Sequence, residues 1–275
     1  MKVLINYADF KYQPSRKWNS LSGKYIAKFD KIFSFTPEDI SLEFKNKHNK
    51  ILNFKRGNGL WLWKPYFINK VINSCNDGDI IFYCDSGALF LRKPTYVFKH
   101  LSIESPIFCC DIPLLESCFT KPLCFKKMDC NKPEYLYSNQ IIATFFGIYV
   151  CKETRKFINE WLDYCCDFEL ISPEGSIMDL SENKSNNFVA HREDQSIFSL
   201  LCKKYKYRPH KDISQRGKNP MSYYNPNYTY KEPKHERDKD CKTILFLHKS
   251  PKLGITFFLK IIIKKIFFQI QRILN

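Results

Sequence analysis

The chain opens on a short apolar run, Lys2 to Tyr7, which ends at Ala8-Asp9 and gives way to a polar, aromatic stretch reaching Trp18. That pattern predicts a first strand and the loop leaving its carboxyl end. A second strand is expected at Lys31 to Phe35, after which Thr36-Pro37-Glu38-Asp39 supplies an N-cap and a first-turn proline and predicts a helix. Phe67, Ile68, Val71 and Ile72 recur at helical spacing within Tyr66 to Ser74, and Asn76-Asp77-Gly78-Asp79 makes a turn. The clearest strand follows: Ile80-Ile81-Phe82-Tyr83-Cys84 is a continuous apolar run of the kind buried in a parallel or mixed sheet, and it stops at Asp85-Ser86-Gly87. Alternating strands and helices predict an α/β fold, and ligands of open α/β sheets bind at strand carboxyl ends, which sets Asp85 at the expected crevice.

Further strands are expected at Ile107 to Cys110 and Gln140 to Val150, then a helix from about Glu153 to Cys165 with Phe157, Ile158, Trp161 and Leu162 facing inward. Ser172 to Asn187 is polar and reads as a loop or insertion. A helix begins near Asp194 and carries Ile197, Phe198, Leu200 and Leu201. Residues 207 to 240, rich in Pro, Asn, Tyr, Lys and Asp, predict an irregular lobe or mobile loop. Thr243 to Leu247 is a last apolar run ending in His248-Lys249-Ser250-Pro251. Beyond it the composition changes. Drawn as a helix, residues 255 to 274 place Ile255, Leu259, Ile262, Ile263, Ile266, Ile270 and Ile273 on one face and Lys260, Lys264, Lys265, Gln269 and Arg272 on the other. Four cations there argue against a spanning segment and for a helix lying on an anionic membrane surface. Residues 1 to 248 are therefore expected to form the folded domain and 249 to 275 a basic amphipathic membrane-association tail.

Composition narrows the class. Hydrophobic residues are 44% of the 275, enough for a packed core and unlike a disordered chain. Lys and Arg number 44 against 28 Asp and Glu, a net +16 that favours anionic partners. Six of those cations, with no acid, lie in residues 249 to 275, which leaves the body at +10. No RNA motif, zinc knuckle or basic helix outside the tail supports nucleic-acid binding. The twelve cysteines have no zinc-finger spacing and the amino terminus reads as a strand, so reduced, buried thiols in a cytoplasmic protein are expected.

Gly59, Trp61, Trp63, Lys64 and Pro65, followed by Tyr83, Asp85 and Gly87, with Thr120-Lys121 and Arg192-Glu193-Asp194-Gln195-Ser196 further on, form a set. In these segments the sequence resembles bacterial DXD-type nucleotide-sugar glycosyltransferases of capsular polysaccharide and lipopolysaccharide biosynthesis, over roughly residues 1 to 205. The resemblance implies a GT-A type fold, a Rossmann-like mixed sheet flanked by helices. It also implies a nucleoside-diphosphate sugar donor, a surface glycan or glycolipid acceptor, and diphosphate and metal beside the DXD segment. One departure stands out. Gly87 occupies the place of the usual second carboxylate, so Asp85 works alone, with His248, or without metal; Mn or Mg is the divalent ion expected if one is used.

Chemistry suggests further roles. Asn6, Tyr7 and Tyr12 near the first strand end are candidates for the nucleotide base, and Ser86, Lys64 and Lys121 for the donor phosphates. Trp61 and Trp63 alternate as if along an extended segment, one expected at the sugar pocket. Thr120, Arg192 and Gln195 are expected on the substrate, with His191 a weaker companion. Asp194, at a helix start, is expected to project into the crevice as acceptor ligand or general base beside Asp85. The rival reading is a nucleotidyl or phosphoryl-type transferase modifying a surface glycan on the same scaffold. The expected location is cytoplasmic, peripheral on the inner face of the plasma membrane.

Overall fold

The computed structural model describes residues 1–173, 188–226 and 229–253. Its centre is a five-stranded sheet. Lys2–Tyr7 (β1) lies between Lys31–Phe35 (β2) and Ile80–Cys84 (β3), parallel to both, and β3 continues antiparallel to Phe145–Tyr149 (β8), which pairs with Ile107–Phe108 (β5). Ala88–Phe90 (β4) pairs with Leu245–Leu247 (β9), and Asp111–Leu115 (β6) with Asn139–Ile141 (β7), as two small antiparallel sheets. This is the mixed α/β sheet flanked by helices that the sequence predicts.

Both faces of the sheet are covered, and the two-residue period of a strand sorts the side chains. Val3, Ile5, Ile81 and Tyr83 pack with Phe67, Ile68, Val71 and Ile72 of helix α2 (Trp63–Ile72), Phe157, Ile158 and Trp161 of α3 (Lys152–Cys166), and Ile197, Phe198 and Leu201 of α4 (Glu193–Lys204). Leu4, Phe82 and Cys84 face the other way, onto Phe29, Phe90, Val97 and Leu101. Helix α1 (Gln13–Ser22) leans on β1 and β4. All twelve cysteines are free thiols and ten are buried.

Three expectations change. The helix expected from Thr36 is one 3-10 turn, Pro37–Asp39, closed by a Thr36–Asp39 capping box, before a separate short helix at Leu42–Lys47. The single strand expected over Gln140 to Val150 is two, broken where Ala143 and Thr144 turn their carbonyls toward Lys64 and the amide of Asp85. The Trp61 to Trp63 segment is not extended: Gly57, Asn58, Gly59, Leu60 and Trp61 all have positive φ, a left-handed turn that delivers the chain into α2. At Gly59, with φ +93°, a Cβ would come within 2.9 Å of the Leu52 Cα, so glycine is required both by conformation and by space. The lobe over 207 to 240 is irregular but tied down, by Cys110–His210, Leu114–Tyr230 and Ser214–Leu245 bridges. The basic amphipathic tail helix expected over 255 to 274 and most of the expected 172–187 loop lie outside the described residues. No helix of the described residues is long and apolar enough to cross a membrane.

A wholly buried carboxylate locks α4 onto the β6–β7 hairpin. Glu116 accepts from Thr120 Oγ1 and Ser199 Oγ, both at 2.5 Å, and pairs with the Lys203 ammonium. Lys203→Met strands that charge, so unfolding stability should fall by about 3–5 kcal/mol. Urea denaturation measures it, and adding Glu116→Gln to the same chain should restore part of the loss.

Candidate active site

At the carboxyl ends of β1 and β3 the sheet opens into a cleft of about 700 Å³. Its floor is the loop that leaves β3. The Asp85 amide donates to Thr144 O (2.8 Å), Ser15 Oγ of α1 to Ser86 O (2.8 Å), Asn19 Nδ2 to Ala88 O (2.8 Å), and the His248 amide to Gly87 O (2.8 Å). Four hydrogen bonds from three segments thus fix the backbone from which the Asp85 side chain projects, about one-third exposed.

Behind Asp85 lies a buried charge cluster. Lys64, on the first turn of α2, is 3% exposed, and its ammonium sits 2.9 Å from Asp194 Oδ2, 3.5 Å from Asp85 Oδ1 and 3.1 Å from Ala143 O. Tyr83 OH donates to the same Asp85 Oδ1 at 2.5 Å. Both contacts to Asp85 fall on one oxygen, which leaves Oδ2 for a ligand in the cleft. Burial alone drives an ammonium toward neutrality, but the Asp194 and Asp85 carboxylates outweigh it and hold Lys64 above its ordinary value. Burial pushes the Asp194 carboxyl up to about 7, with Lys64 pulling it back and the Asp85 charge adding to the rise.

One wall of the cleft is aromatic. Tyr7 stacks on Trp63, ring centroids 3.7 Å apart, while Trp61 and Tyr12 also line it. The Trp63 indole N–H donates to Gly57 O (2.9 Å) and the Asn58 amide to the Tyr7 hydroxyl, which secures the left-handed turn against β1. The lining is also strongly basic: Lys11, whose ammonium lies 5.6 Å from the Tyr12 ring centroid, Lys55, Arg216 and Lys249, with Asp9 and Asp85. His248 faces the same cleft, its imidazole held below the ordinary value by burial.

Of the residues singled out in the sequence, Tyr7, Tyr12, Trp61, Trp63, Asp85, Ser86 and His248 meet in this cleft. The others are placed elsewhere. Asn6 is buried and donates to Asn19 Oδ1 (2.8 Å) and Ser20 Oγ (2.9 Å), so it clamps β1 to α1 and does not reach a base. Lys64 spends its charge on two carboxylates and is not a phosphate ligand. Asp194, 4% exposed, lies under the cleft instead of projecting into it. Thr120 donates to Glu116; Lys121 donates to Ser172 O (2.7 Å); Arg192 covers the Phe119 ring; Gln195 bonds Gln140 (2.8 Å). His191 contacts Leu170 O (2.9 Å) and is pushed down to about 3 by burial and Lys121. These five make the layer behind the site. Sequence reasoning missed Lys11, Lys55, Arg216 and Lys249; only Lys249, adjoining His248, carried a local signal.

Among the described residues no three His, Cys, Asp or Glu side chains group as a metal site. Asp9, Asp85 and His248 line the cleft; Asp9 Oδ1 accepts from the Tyr12 amide (3.1 Å), which leaves Asp85 and His248 as the candidate pair. That set fits a divalent ion that takes its other ligands from substrate phosphate and water.

No protein-family model matches the sequence, and no curated protein matches it. Solved structures do match over most of its length: apo mouse xyloside xylosyltransferase 1 (10% identity, 92% of this chain and 100% of that chain, TM-score 0.48). The galactosyltransferase LgtC matches in complex with donor and acceptor sugar analogues (14%, 91% and 88%, 0.46) and as an active-site mutant (13%, 90% and 87%, 0.49). At such identities and scores the functional argument rests on the cleft itself.

The raised Asp194 carboxyl makes a pH prediction. A folded-state value above the unfolded one means that the native state holds the extra proton, so this contribution is complete below about pH 4 and is lost as pH rises through about 7. Asp194→Asn should remove a downward slope of at most about 1.4 kcal/mol per pH unit across that window. Urea unfolding of both proteins at several pH values measures the difference; parallel profiles would refute the shift.

Proposed function

We propose that the protein is a GT-A type glycosyltransferase that moves a sugar from a nucleoside-diphosphate donor to a glycan or glycolipid acceptor of the cell surface. One observation carries the reading: at the strand ends a single cleft joins an aromatic wall, four cations and the fixed carboxylate of Asp85. The aromatic wall formed by Tyr7, Tyr12 and Trp61 suits a nucleobase and sugar. Lys11, Lys55, Arg216 and Lys249 suit the diphosphate, whose negative charge grows as the bond to the sugar breaks. In the transfer, the acceptor oxygen forms a bond to the sugar C1, the C1–O bond to the diphosphate breaks, and the acceptor hydroxyl proton passes to the departing diphosphate.

Asp85 Oδ2 is the carboxylate oxygen placed to touch the donor sugar or the acceptor hydroxyl. Asp194 acts through Lys64, which fixes Asp85, and is a positioning residue. Asp85 and His248 would hold a divalent ion, Mn or Mg, which would supply neutralisation of the diphosphate charge. We assign the tail of residues 249 to 275, beyond Lys249 at the cleft, to peripheral anchoring at the inner face of the plasma membrane, beside a domain formed by residues 1 to 248.

Asp85→Asn should lower turnover by roughly 10²–10³-fold with the fold retained, since Asp194 still pairs Lys64. Nucleotide sugars should raise the melting midpoint of the wild type, by about 2.7 kcal/mol of apparent stability at a hundredfold excess over Kd. Release of nucleoside diphosphate supports glycosyl transfer. Release of monophosphate instead would replace it by the nucleotidyl or phosphoryl-type rival.

A further inference from the structure

Residues 10 to 29 contain Lys11, Arg16, Lys17, Lys24 and Lys28 and no acid. They form α1 and the π-helical turn Gly23–Ala27 that follows it, and they hold four large apolar side chains out to solvent: Phe10 (88% exposed), Tyr25 (60%), Ile26 (45%) and Trp18 (40%). Beside them runs an open groove of about 1190 Å³, lined by Phe10, Leu21 and Ile32 and by the cations Lys17, Lys24 and Lys252, with no acid among its described residues. Glu38 and Asp39 act on Arg16, whose guanidinium is turned onto Phe35 O (2.6 Å), while the flanking Asp9 and Asp30 accept from the amides of Tyr12 (3.1 Å) and Lys2 (2.6 Å).

We propose that this face of the folded body docks on an anionic lipid surface. Exposed aromatic and aliphatic side chains ringed by lysines match the boundary between acyl chains and charged headgroups, where apolar tips enter and ammonium groups stay with the phosphates. The course of the chain agrees. The Trp18 indole N–H donates to Leu253 O (3.1 Å), so Leu253, the last described residue before a segment that carries Lys260, Lys264, Lys265 and Arg272, lies on this same face. Occupancy of the groove by that tail would set cation against cation. A twofold dimer through the same patch would do so as well, because such an interface sets a surface against itself.

Lys11 lines both the groove and the catalytic cleft, and Lys249 of the cleft lies three residues before Lys252 of the groove. On the transferase reading the cleft mouth therefore opens at the headgroup level, where a lipid-linked acceptor would be presented. The docking itself does not depend on that reading, because it is measured without substrate.

The test is vesicle co-sedimentation of the full chain, with phosphatidylcholine alone and with phosphatidylcholine mixed with phosphatidylglycerol. Two variants outside the cleft are compared, Lys17→Ala/Lys24→Ala and Phe10→Ser/Tyr25→Ser. Wild type should prefer the anionic vesicles, and each variant should bind them roughly 10- to 30-fold more weakly, with the tail intact and the melting midpoint unchanged. Wild-type partition by both variants assigns membrane binding to the tail alone and overturns the proposal. So does equal binding of the wild type to both vesicles. A dimer in gel filtration that the Phe10→Ser/Tyr25→Ser chain loses would overturn it in favour of self-association.

Discussion

The site depends on one buried ammonium. Lys64 is almost sealed from water, and a charge in that position is tolerable only because carboxylates from two distant segments converge on it, Asp85 from the end of β3 and Asp194 from the start of α4. The Ala143 carbonyl supplies a third contact from the break between β7 and β8. The cluster therefore couples the folding of the sheet to the geometry of the cleft. Without the ammonium, two carboxylates would face each other in a low-dielectric layer; without Asp194, Lys64 would pull on Asp85 alone. Asp85 owes its fixed direction to that balance, with one oxygen bound from behind and the other turned to the cleft.

The rim of the cleft carries a different constraint. Five consecutive residues in the left-handed region are unfavourable, most of all for Leu60 and Trp61, which have a Cβ to accommodate. The surroundings over-determine the turn: Leu52 leaves no room for a side chain at Gly59, the Trp63 indole holds the Gly57 carbonyl, and Tyr7 stacks on Trp63. What the strain achieves is placement. It sets Trp61 at the cleft while Trp63, two residues later at the start of α2, is buried against Tyr7 at its edge, so two similar side chains take different roles.

How legible each feature was follows from its physics. β1 and β3 could be bounded from the chain because strands buried on both faces read as nearly continuous apolar runs, and β3, which stops at an acid, declares its own end; β2, half-exposed at the sheet edge, was bounded by the Thr36-Pro37 break that follows it. Asp194 was misplaced because a carboxylate at a helix start reads as an exposed cap; its burial is set by Trp161, whose indole donates to the Asp194 carbonyl (3.1 Å), and by Lys64 far upstream. The left-handed turn was hidden because alternating tryptophans mimic an extended segment, and only the glycines at 57 and 59 hinted otherwise. Arg216 could not be found at all. It comes from an aperiodic lobe whose position is set by isolated bridges between segments distant in sequence.

Gly87 ties these strands of the argument together. Its amino-acid type looks like a lost ligand, but β9 runs past it, and a Cβ there would stand 2.7 Å from the His248 carbonyl oxygen. The His248 amide bonds the Gly87 carbonyl, and the Ala88–Leu247 pair begins one residue on. A second carboxylate at this position and the β4–β9 pairing are therefore incompatible. The pairing brings compensation, since β9 is what carries His248 and Lys249 to the cleft. Cations from four separate segments, Lys11, Lys55, Arg216 and Lys249, line the cleft around this single strand-end carboxylate. The chemistry of the cleft thus leans on basic residues around one carboxylate, in keeping with a chain whose excess positive charge extends well beyond its tail.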